Sequence, residues 1–381
     1  MDMTGEPIWA LGMMSGTSMD GIDAAALLTD GEGIQGFGPK RFAPYEPAER
    51  DLLRRAQGLW QGADPLLREV DATLVAAHEA LAGYFPTTAL IGFHGQTLAH
   101  DPAGFRTHQA GDGAALAKSL GKPVVWDFRS ADIASGGEGA PLVPFFHHAC
   151  ARMLGMDQVV AFLNLGGVGN VTWVDPLVTR PETPGALCAF DTGPGNALID
   201  DLMETRGVGA MDEGGSAALA GRPDEALIAK VLEDPYFARP APKSLDRNHF
   251  AWVLERVAHM DLADAAATLT ALSAECVAAS VRHMPEPPSR WLVCGGGRKN
   301  RALMAALTAR SNAEVVPVEA VSLDGDFLEA QAFAYLAVRV MRGLPTSAPG
   351  TTGARLPVSG GRIHRPAPVP GDPLAAVRRV F

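Results

Sequence analysis

Residues 12–23, Gly12-Met13-Met14-Ser15-Gly16-Thr17-Ser18-Met19-Asp20-Gly21-Ile22-Asp23, constrain this chain more than any other stretch. They set glycines and hydroxyl groups between two apolar, strand-like runs at 8–11 and 22–28. The pattern predicts a β-hairpin with a polar tip. Glycine tolerates positive φ, so such a tip can turn backbone N–H groups and the hydroxyls of Ser15, Thr17 and Ser18 toward an anion. Asp20 and Asp23 stand beside it, where a magnesium ion accompanying a nucleotide would find ligands, directly or through water. A tight surface turn explains the same residues equally well.

A second segment follows the same plan. Residues 159–163 read as a buried strand, Asn164-Leu165-Gly166-Gly167-Val168-Gly169-Asn170 as a tip, and 171–174 as the return strand. A third cluster, Gly295-Gly296-Gly297, ends a strand and precedes a helical run at 300–309. Bare glycines there would let a purine or ribose lie against the backbone. Three such loops are hard to explain by turn chemistry alone. The two hairpins lie about 150 residues apart, which suggests an internal duplication with a nucleotide in the cleft between the halves.

At 381 residues the chain has the length for two domains or one large split one. Strand-like and helical runs alternate, the mark of an α/β protein. Strands are expected at 89–93, 123–126 and 186–190, and helices at 51–59, 69–82, 114–120, 197–204, 262–281 and 327–341. Asp324 or Asp326 is available to cap the last of these. The glycine-rich stretch 135–139 is a candidate boundary, giving a first domain over 1–135 and a second over 136–349. The Pro/Gly-rich tail, about 350–381, would return to the first domain, with a short helix at 373–380.

The charge balance limits the partners. Net charge is −11, from 43 acidic and 32 basic residues, with no basic run, so nucleic acid is not an expected partner. An acidic chain that binds a polyanion must do so locally, with loop amides and a metal. Cys150, Cys188, Cys276 and Cys294 stand far apart, which argues against zinc and against a disulfide framework. The start, Met1-Asp2-Met3-Thr4-Gly5-Glu6-Pro7, lacks the features of a secretion signal. No run approaches the ~20 apolar residues that span a bilayer, so a cytoplasmic protein without a membrane partner is expected.

Rival motifs are missing or incomplete. Gly121-Lys122 runs into Pro123, and no phosphate-binding Gly-x4-Gly-Lys-Ser/Thr loop exists. Ser119-Leu120-Gly121-Lys122 lacks the companions of a penicillin-recognising enzyme. There is no His-Glu-x-x-His.

Within Phe190-Asp191-Thr192-Gly193-Pro194-Gly195-Asn196, Asp191 ends a buried strand ahead of a turn and a helix start. A carboxylate so placed is rigid and partly desolvated, which suits a general base; a loop or helix cap is the plainer explanation. Glu329 falls in the first turn of the helix at 327–341, where the helix dipole favours negative charge. Gln96, Thr97 and His94, in Gly92-Phe93-His94-Gly95-Gln96-Thr97, could hydrogen-bond a polar ligand. Asp127, Arg129 and Asp132 are read as a structural ion pair, with bidentate recognition of a ligand carboxylate by Arg129 as the alternative. Residues 239–244, ending in Lys243-Ser244, read as a loop near the nucleotide.

Taken together, GMMSGTSMDGID (12–23), GFHGQTLAHDP (92–102), DFRSADIASGGEGAPLVPFFH (127–147), FLNLGGVGNVT (162–172), FDTGPGNALID (190–200), VCGGGRKN (293–300), DGDFLEAQAFAYLA (324–337) and TTGA (351–354) resemble the anhydro-N-acetylmuramic acid kinases. That family belongs to the actin, hexokinase and chaperone-ATPase superfamily, and the stretches follow family order across nearly the whole chain. The resemblance implies a two-domain actin-like/hexokinase-like (ribonuclease H-like) α/β fold with an interdomain nucleotide cleft. It implies an ATP- and magnesium-dependent enzyme that hydrolytically opens the 1,6-anhydro bridge of anhydro-N-acetylmuramic acid. The 6-oxygen would be phosphorylated, giving N-acetylmuramic acid 6-phosphate in peptidoglycan recycling, and a homodimer is expected.

Carried onto this sequence, the resemblance makes Asp191 the base and gives Glu329 the sugar and the attacking water. Nucleotide contacts fall to Ser15, Gly16, Thr17, Ser18, Met19, Asp20, Gly21, Ile22, Asp23, Asn164, Gly166, Gly167, Gly169, Asn170, Gly295, Gly296, Gly297 and Asn300. Substrate contacts fall to His94, Gln96, Thr97, Arg129, Gly193, Gly195 and Asn196. The first tip lacks the Asp-x-Gly pattern of hexokinases and the second has Asn164 where the wider superfamily has an aspartate, so the direct metal ligands stay open, and Asp20 or Asp23 could touch magnesium only through water. Two other readings stay open: a kinase of this fold acting on another sugar or small acid, and a nucleotide-switched ATPase without metabolic turnover.

Overall fold

The structure, a computed structural model, describes residues 5–366. By its internal contacts the chain divides into two compact units: residues up to Met153 together with those from Phe327 onward, and Leu154–Asp326. Strands run in chain order as β1 (Ile8–Ser15), β2 (Gly21–Thr29), β3 (Ile34–Pro44), β4 (Leu90–Phe93), β5 (Gln96–Asp101), β6 (Arg106–Ala110) and β7 (Val124–Trp126). They continue as β8 (Val160–Leu165), β9 (Val168–Val174), β10 (Leu187–Pro194), β11 (Arg290–Cys294), β12 (Glu314–Pro317) and β13 (Arg362–His364).

The first sheet has the order β13-β7-β4-β1-β2-β3 and the second β10-β9-β8-β11-β12. In the first, β1, β2 and β3 form an antiparallel meander, and β4 and β7 then add parallel to β1. In the second, β8, β9 and β10 form the meander, and β11 and β12 add parallel to β8. The same five-strand plan thus occurs twice. The two expected hairpins are its opening strands, and the fold class is the expected two-domain α/β one.

Glycines fix where the principal helix of the first unit lies. Gly12 and Gly92 are register partners on adjacent strands β1 and β4. A Cβ on Gly12 would meet Ala330 O at 1.7 Å, and one on Gly92 would meet Phe333 O at 2.2 Å. Helix Leu328–Met341 therefore lies with its backbone directly on these strands, its Ala330, Phe333, Ala334 and Ala337 fully or almost fully buried. Two side-chain-free positions make that approach possible.

Several local features differ from the sequence reading. Neither Asp324 nor Asp326 caps helix Leu328–Met341; its N-cap is Phe327, and Asp326 instead pairs with Arg298 and Lys299. The glycine stretch 135–139 is not where the chain leaves the first unit. It is held there by Asp132, which accepts from Gly139 N–H at 2.7 Å and Thr352 Oγ1 at 2.6 Å, and from the Ser347 hydroxyl. The crossing comes after helix Pro144–Met153, which packs against Leu328–Met341 within the first unit. Strand β13 returns the tail to β7, and residues 373–380 lie outside the described residues.

Helix Leu262–Ser280, capped by Asp261 through Asp264 N–H, is the central helix of the second unit. Against the sequence expectation, the stretch Leu262–His283 is long and apolar enough to cross a membrane by length and composition; 67% of an 18-residue apolar window within it is buried. Its apolar residues serve a core that includes Leu269, Leu272 and Cys276.

Candidate active site

The tip between β1 and β2 presents Thr17, Ser18 and Asp20 to solvent, with Gly16 and Met19 half-buried. Met19 adopts a positive φ of 53°, and its N–H donates to Gly16 O at 3.2 Å, closing the turn. Ser18 Oγ donates to Asp20 Oδ1 at 2.6 Å. Ser15, by contrast, is buried: its single proton goes to Gln96 Oε1 at 2.5 Å, so the Tyr45 phenol must donate to Ser15 Oγ at 2.9 Å. Gln96 Nε2 continues the chain to Gly16 O at 3.1 Å. Ser15 and Gln96 thus brace the tip from beneath. Gly21 and Ile22 also face inward, Gly21 against Ala43 O and Ile22 in the core.

Behind this tip, His94 is buried and both ring nitrogens are engaged. Arg129 donates to Nε2 at 2.9 Å, and a guanidinium can only donate, so the proton sits on Nδ1 and goes to Gly95 O at 2.7 Å. Burial, then the Arg129 charge, holds His94 well below the ordinary histidine value, so it is neutral. Arg129 also donates to Gly139 O at 2.7 Å, while its buried Nε has no partner. The expected ion pair among Asp127, Arg129 and Asp132 is not formed. Asp127 pairs with Arg362 at 2.9 Å, Asp132 takes hydroxyl and amide donors, and among the described residues no carboxylate is in ion-pair contact with Arg129. Arg129 is nevertheless attracted electrostatically to Glu329 in the first turn of helix Leu328–Met341. Desolvation raises the Glu329 carboxyl and Arg129 opposes it; the side chain is open to solvent, so that desolvation is incomplete. Thr97 Oγ1 donates to Gln109 Oε1 at 2.7 Å across the β5/β6 ladder.

In the second unit, Asp191 lies within β10 rather than after it, because the strand runs on to Pro194 through a bulge. The ladder sets it directly opposite Asn170 on β9. Asn170 Nδ2 donates to Asp191 Oδ1 at 2.8 Å and Leu245 N–H to Oδ2 at 2.8 Å. Both carboxylate oxygens are therefore steered by donors that stabilise the ionised form. The half-buried side chain is held in one orientation beside the second glycine tip.

That tip is supported by the segment following Asp191. Gly195 and Ala197 N–H donate to Gly167 O at 2.9 and 3.2 Å, and Asn196 N–H to Gly166 O at 2.8 Å. Asn196 Nδ2 reaches Leu165 O at 2.9 Å. Gly195 and Asn196 thus hold the loop of their own chain, while Gly167 is exposed. Gly169 is buried, where a Cβ would meet Thr192 Oγ1 at 2.6 Å, and Gly193 packs on Cys276.

The third cluster divides in the same way. Gly295, at φ +72°, fits against the Asn164 Oδ1, and Gly297 packs on Leu165. A Cβ on Gly296 would meet nothing within 4 Å, and the residue is exposed. Close packing therefore explains two of the three and leaves Gly296 facing open space. Asn300 caps helix Arg301–Arg310 by accepting from Leu303 N–H at 3.0 Å. Arg298, its side chain only 5% exposed, donates to Gly295 O and pairs with Glu319 and Asp326, fixing the loop.

Among the described residues, no group of three or more His, Cys, Asp or Glu side chains is arranged to hold a metal. Asp20 and Asp23 can supply one or two oxygens, the share a protein gives to a magnesium ion carried by phosphates. Sequence reading did not identify the roles of Tyr236 and Leu245, since both reach Asp191 only through the folded 236–245 segment. Apart from the Lys243-Ser244 loop, no local pattern marked that segment.

A family model described as "Anhydro-N-acetylmuramic acid kinase" matches residues 8–366. A protein of that name from Cereibacter sphaeroides is 57% identical over 364 residues, covering 96% of this chain and 98% of its own. "Anhydro-N-acetylmuramic acid kinase 1" from Jannaschia sp. is 56% identical, with 94% and 96% covered. Among solved structures, an inorganic polyphosphate/ATP-glucomannokinase from Arthrobacter sp. strain KM is 12% identical, covering 88% of this chain and 100% of that one, at a TM-score of 0.42.

Proposed function

The chain belongs to the anhydro-N-acetylmuramic acid kinase family, and on that premise we propose that it opens the 1,6-anhydro bridge of anhydro-N-acetylmuramic acid while phosphorylating the freed 6-oxygen from ATP. Water adds to the anomeric carbon as its bond to the bridging oxygen breaks. That oxygen takes the γ-phosphoryl group, ADP leaves, and the water proton passes to Asp191. In ordinary glycosidic cleavage an acid would protonate the leaving oxygen. Here the phosphoryl group captures it, so the protein needs chiefly a base. The product, N-acetylmuramic acid 6-phosphate, serves peptidoglycan recycling.

One observation carries this reading. Asp191 is a half-buried carboxylate whose two oxygens are aimed by Asn170 and Leu245, beside a glycine tip backed by Gly195 and Asn196. A carboxylate held in one orientation is what a general base requires. The nucleotide phosphates take Thr17, Ser18 and the backbone of Gly16 at the first tip, and Gly166 and Gly167 at the second. Gly296 meets the nucleoside. Magnesium, carried by the phosphates, would be held through Asp20 or Asp23 and would neutralise charge at the transferred group. Arg129, with no carboxylate in ion-pair contact among the described residues, meets the lactyl carboxylate of the sugar, and Glu329 and Thr97 bind the sugar. His94 and Gln96 orient Arg129 and the first tip rather than touch the ligand. The enzyme works in the cytoplasm as a homodimer.

ADP release measured with and without anhydro-N-acetylmuramic acid tests the reading. Release should depend on the sugar, and Asp191→Asn should lower turnover by about 10² or more while leaving nucleotide binding intact. Sugar-independent hydrolysis, or near-normal turnover by Asp191→Asn, would contradict it.

A further inference from the structure

One ten-residue segment, 236–245, makes three of the hydrogen bonds that hold Asp191. Tyr236 OH donates to Asp191 O at 2.6 Å, Asp191 N–H to Lys243 O at 2.9 Å, and Leu245 N–H to Asp191 Oδ2 at 2.8 Å. The segment is itself closed by a buried cation. Lys243, 5% exposed, donates from Nζ to Tyr236 O at 3.1 Å, and Nζ sits 4.5 Å from the centroid of the Tyr236 ring. Among the described residues no carboxylate is in ion-pair contact with this ammonium. A buried lysine costs free energy unless something offsets it, and here the offset is the Tyr236 carbonyl, His283 Nε2 at 3.4 Å and the aromatic faces of Tyr236 and Phe190. Its neighbours are Asp191 on β10, Tyr236 and Arg239 on its own segment, Cys276 on helix Leu262–Ser280, and Arg282 and His283 just beyond that helix.

We propose that Tyr236 and Lys243 are positioning residues for Asp191, the Lys243 ammonium closing segment 236–245 into a clasp that sets the direction of the Asp191 carboxylate. The inference rests on Asp191 being the base. A clasp of this kind acts on the chemical step, because a base displaced by a fraction of an ångström loses its line to the attacking water while nucleotide binding is untouched. Desolvation, followed by the charges of Arg282 and Arg239, lowers the Lys243 ammonium to about 8. As pH rises through that value the ammonium charge is lost from beside Asp191 and from the Tyr236 ring face, and the clasp is held only by the weaker hydrogen bond of a neutral amine.

Two variants test it in the full-length enzyme, each checked for folding by circular dichroism. Tyr236→Phe keeps the ring and removes the donor; Lys243→Met keeps the stem and removes the charge. Tyr236→Phe should lower kcat by about 10- to 100-fold with KM for ATP unchanged. It should have no further effect on residual turnover in the Asp191→Asn background. Lys243→Met should lower kcat similarly and lose the bend near pH 8 that is expected of the parent enzyme. A folded Tyr236→Phe with parental kcat overturns the proposal, even if its melting temperature falls. That variant decides the matter should Lys243→Met not fold. If Asp191→Asn is inactive and Tyr236→Phe is parental, only the clasp fails; if Asp191→Asn keeps its turnover, the base and the clasp fail together.

Discussion

Asn170 and Asp191 face each other across the β9/β10 ladder, joined by a 2.8 Å hydrogen bond from Nδ2 to Oδ1. The glycine tip and the carboxylate are thereby one rigid piece, since the strand that ends the tip also carries the donor. Asn170→Asp replaces that donor with a second carboxylate. Like charges at this separation disfavour ionisation of the pair. The acid limb of the kcat–pH profile should move up by about one unit or more, as measured by steady-state assay across pH.

Gly12 and Gly92 should be intolerant of any side chain. Alanine at either position drives a Cβ into the carbonyl of Ala330 or Phe333, and backbone on a packed helix cannot yield as a side-chain end can. Each substitution should cost about 3 kcal/mol or more in denaturant titrations. Gly296→Ala is the contrast: with open space around it, stability should change by no more than about 0.5 kcal/mol, while KM for ATP rises.

Arg129 is expected to read the lactyl carboxylate. Arg129→Ala should raise KM for anhydro-N-acetylmuramic acid by about 10- to 100-fold, the equivalent of losing a charge-assisted hydrogen bond. With the corresponding anhydrosugar lacking the lactyl group, parent and variant should have similar KM values. Equal losses on both sugars would assign Arg129 to the architecture of the 129–139 loop instead.

Buried neutral histidines make the protein acid-sensitive. Burial lowers His78 to about 4 and His147 to about 3. Below the ordinary histidine value the unfolded chain binds protons that the folded chain refuses. Stability is therefore complete above pH ~6.5 and is lost as pH falls through the folded values. Chemical denaturation should show this slope, and His78→Phe should make it shallower. His78 suits that test because it is fully buried, lies edge-on to Phe93 and has an unpartnered Nε2.

The sequence was most legible where one residue type serves both folding and chemistry. Apolar runs around polar tips marked β1–β2 and β8–β9, and the apolar run 186–190 marked β10 but not its continuation through Asp191 to Pro194. It was less informative where a residue's partner is distant in sequence. Ser15 looks like a phosphate ligand until Tyr45 and Gln96 are seen to claim its hydroxyl. Asn300 reads as a nucleotide contact but caps a helix. His94 reads as a sugar ligand but spends both nitrogens on Arg129 and Gly95. Asp326 looks like a helix cap, yet Arg298 and Lys299 take it first. The clasp on Asp191 depends on a segment 45 or more residues away and carries no local pattern.

Mass spectrometry of the product formed in oxygen-18 water tests the coupled reaction most directly, with product incubated in the same water as the exchange control. One heavy oxygen is expected, at the anomeric hydroxyl, and none in the phosphate or at the 6-position. A phosphorylated product that keeps its anhydro bridge, or that carries no label at the anomeric carbon, would contradict it.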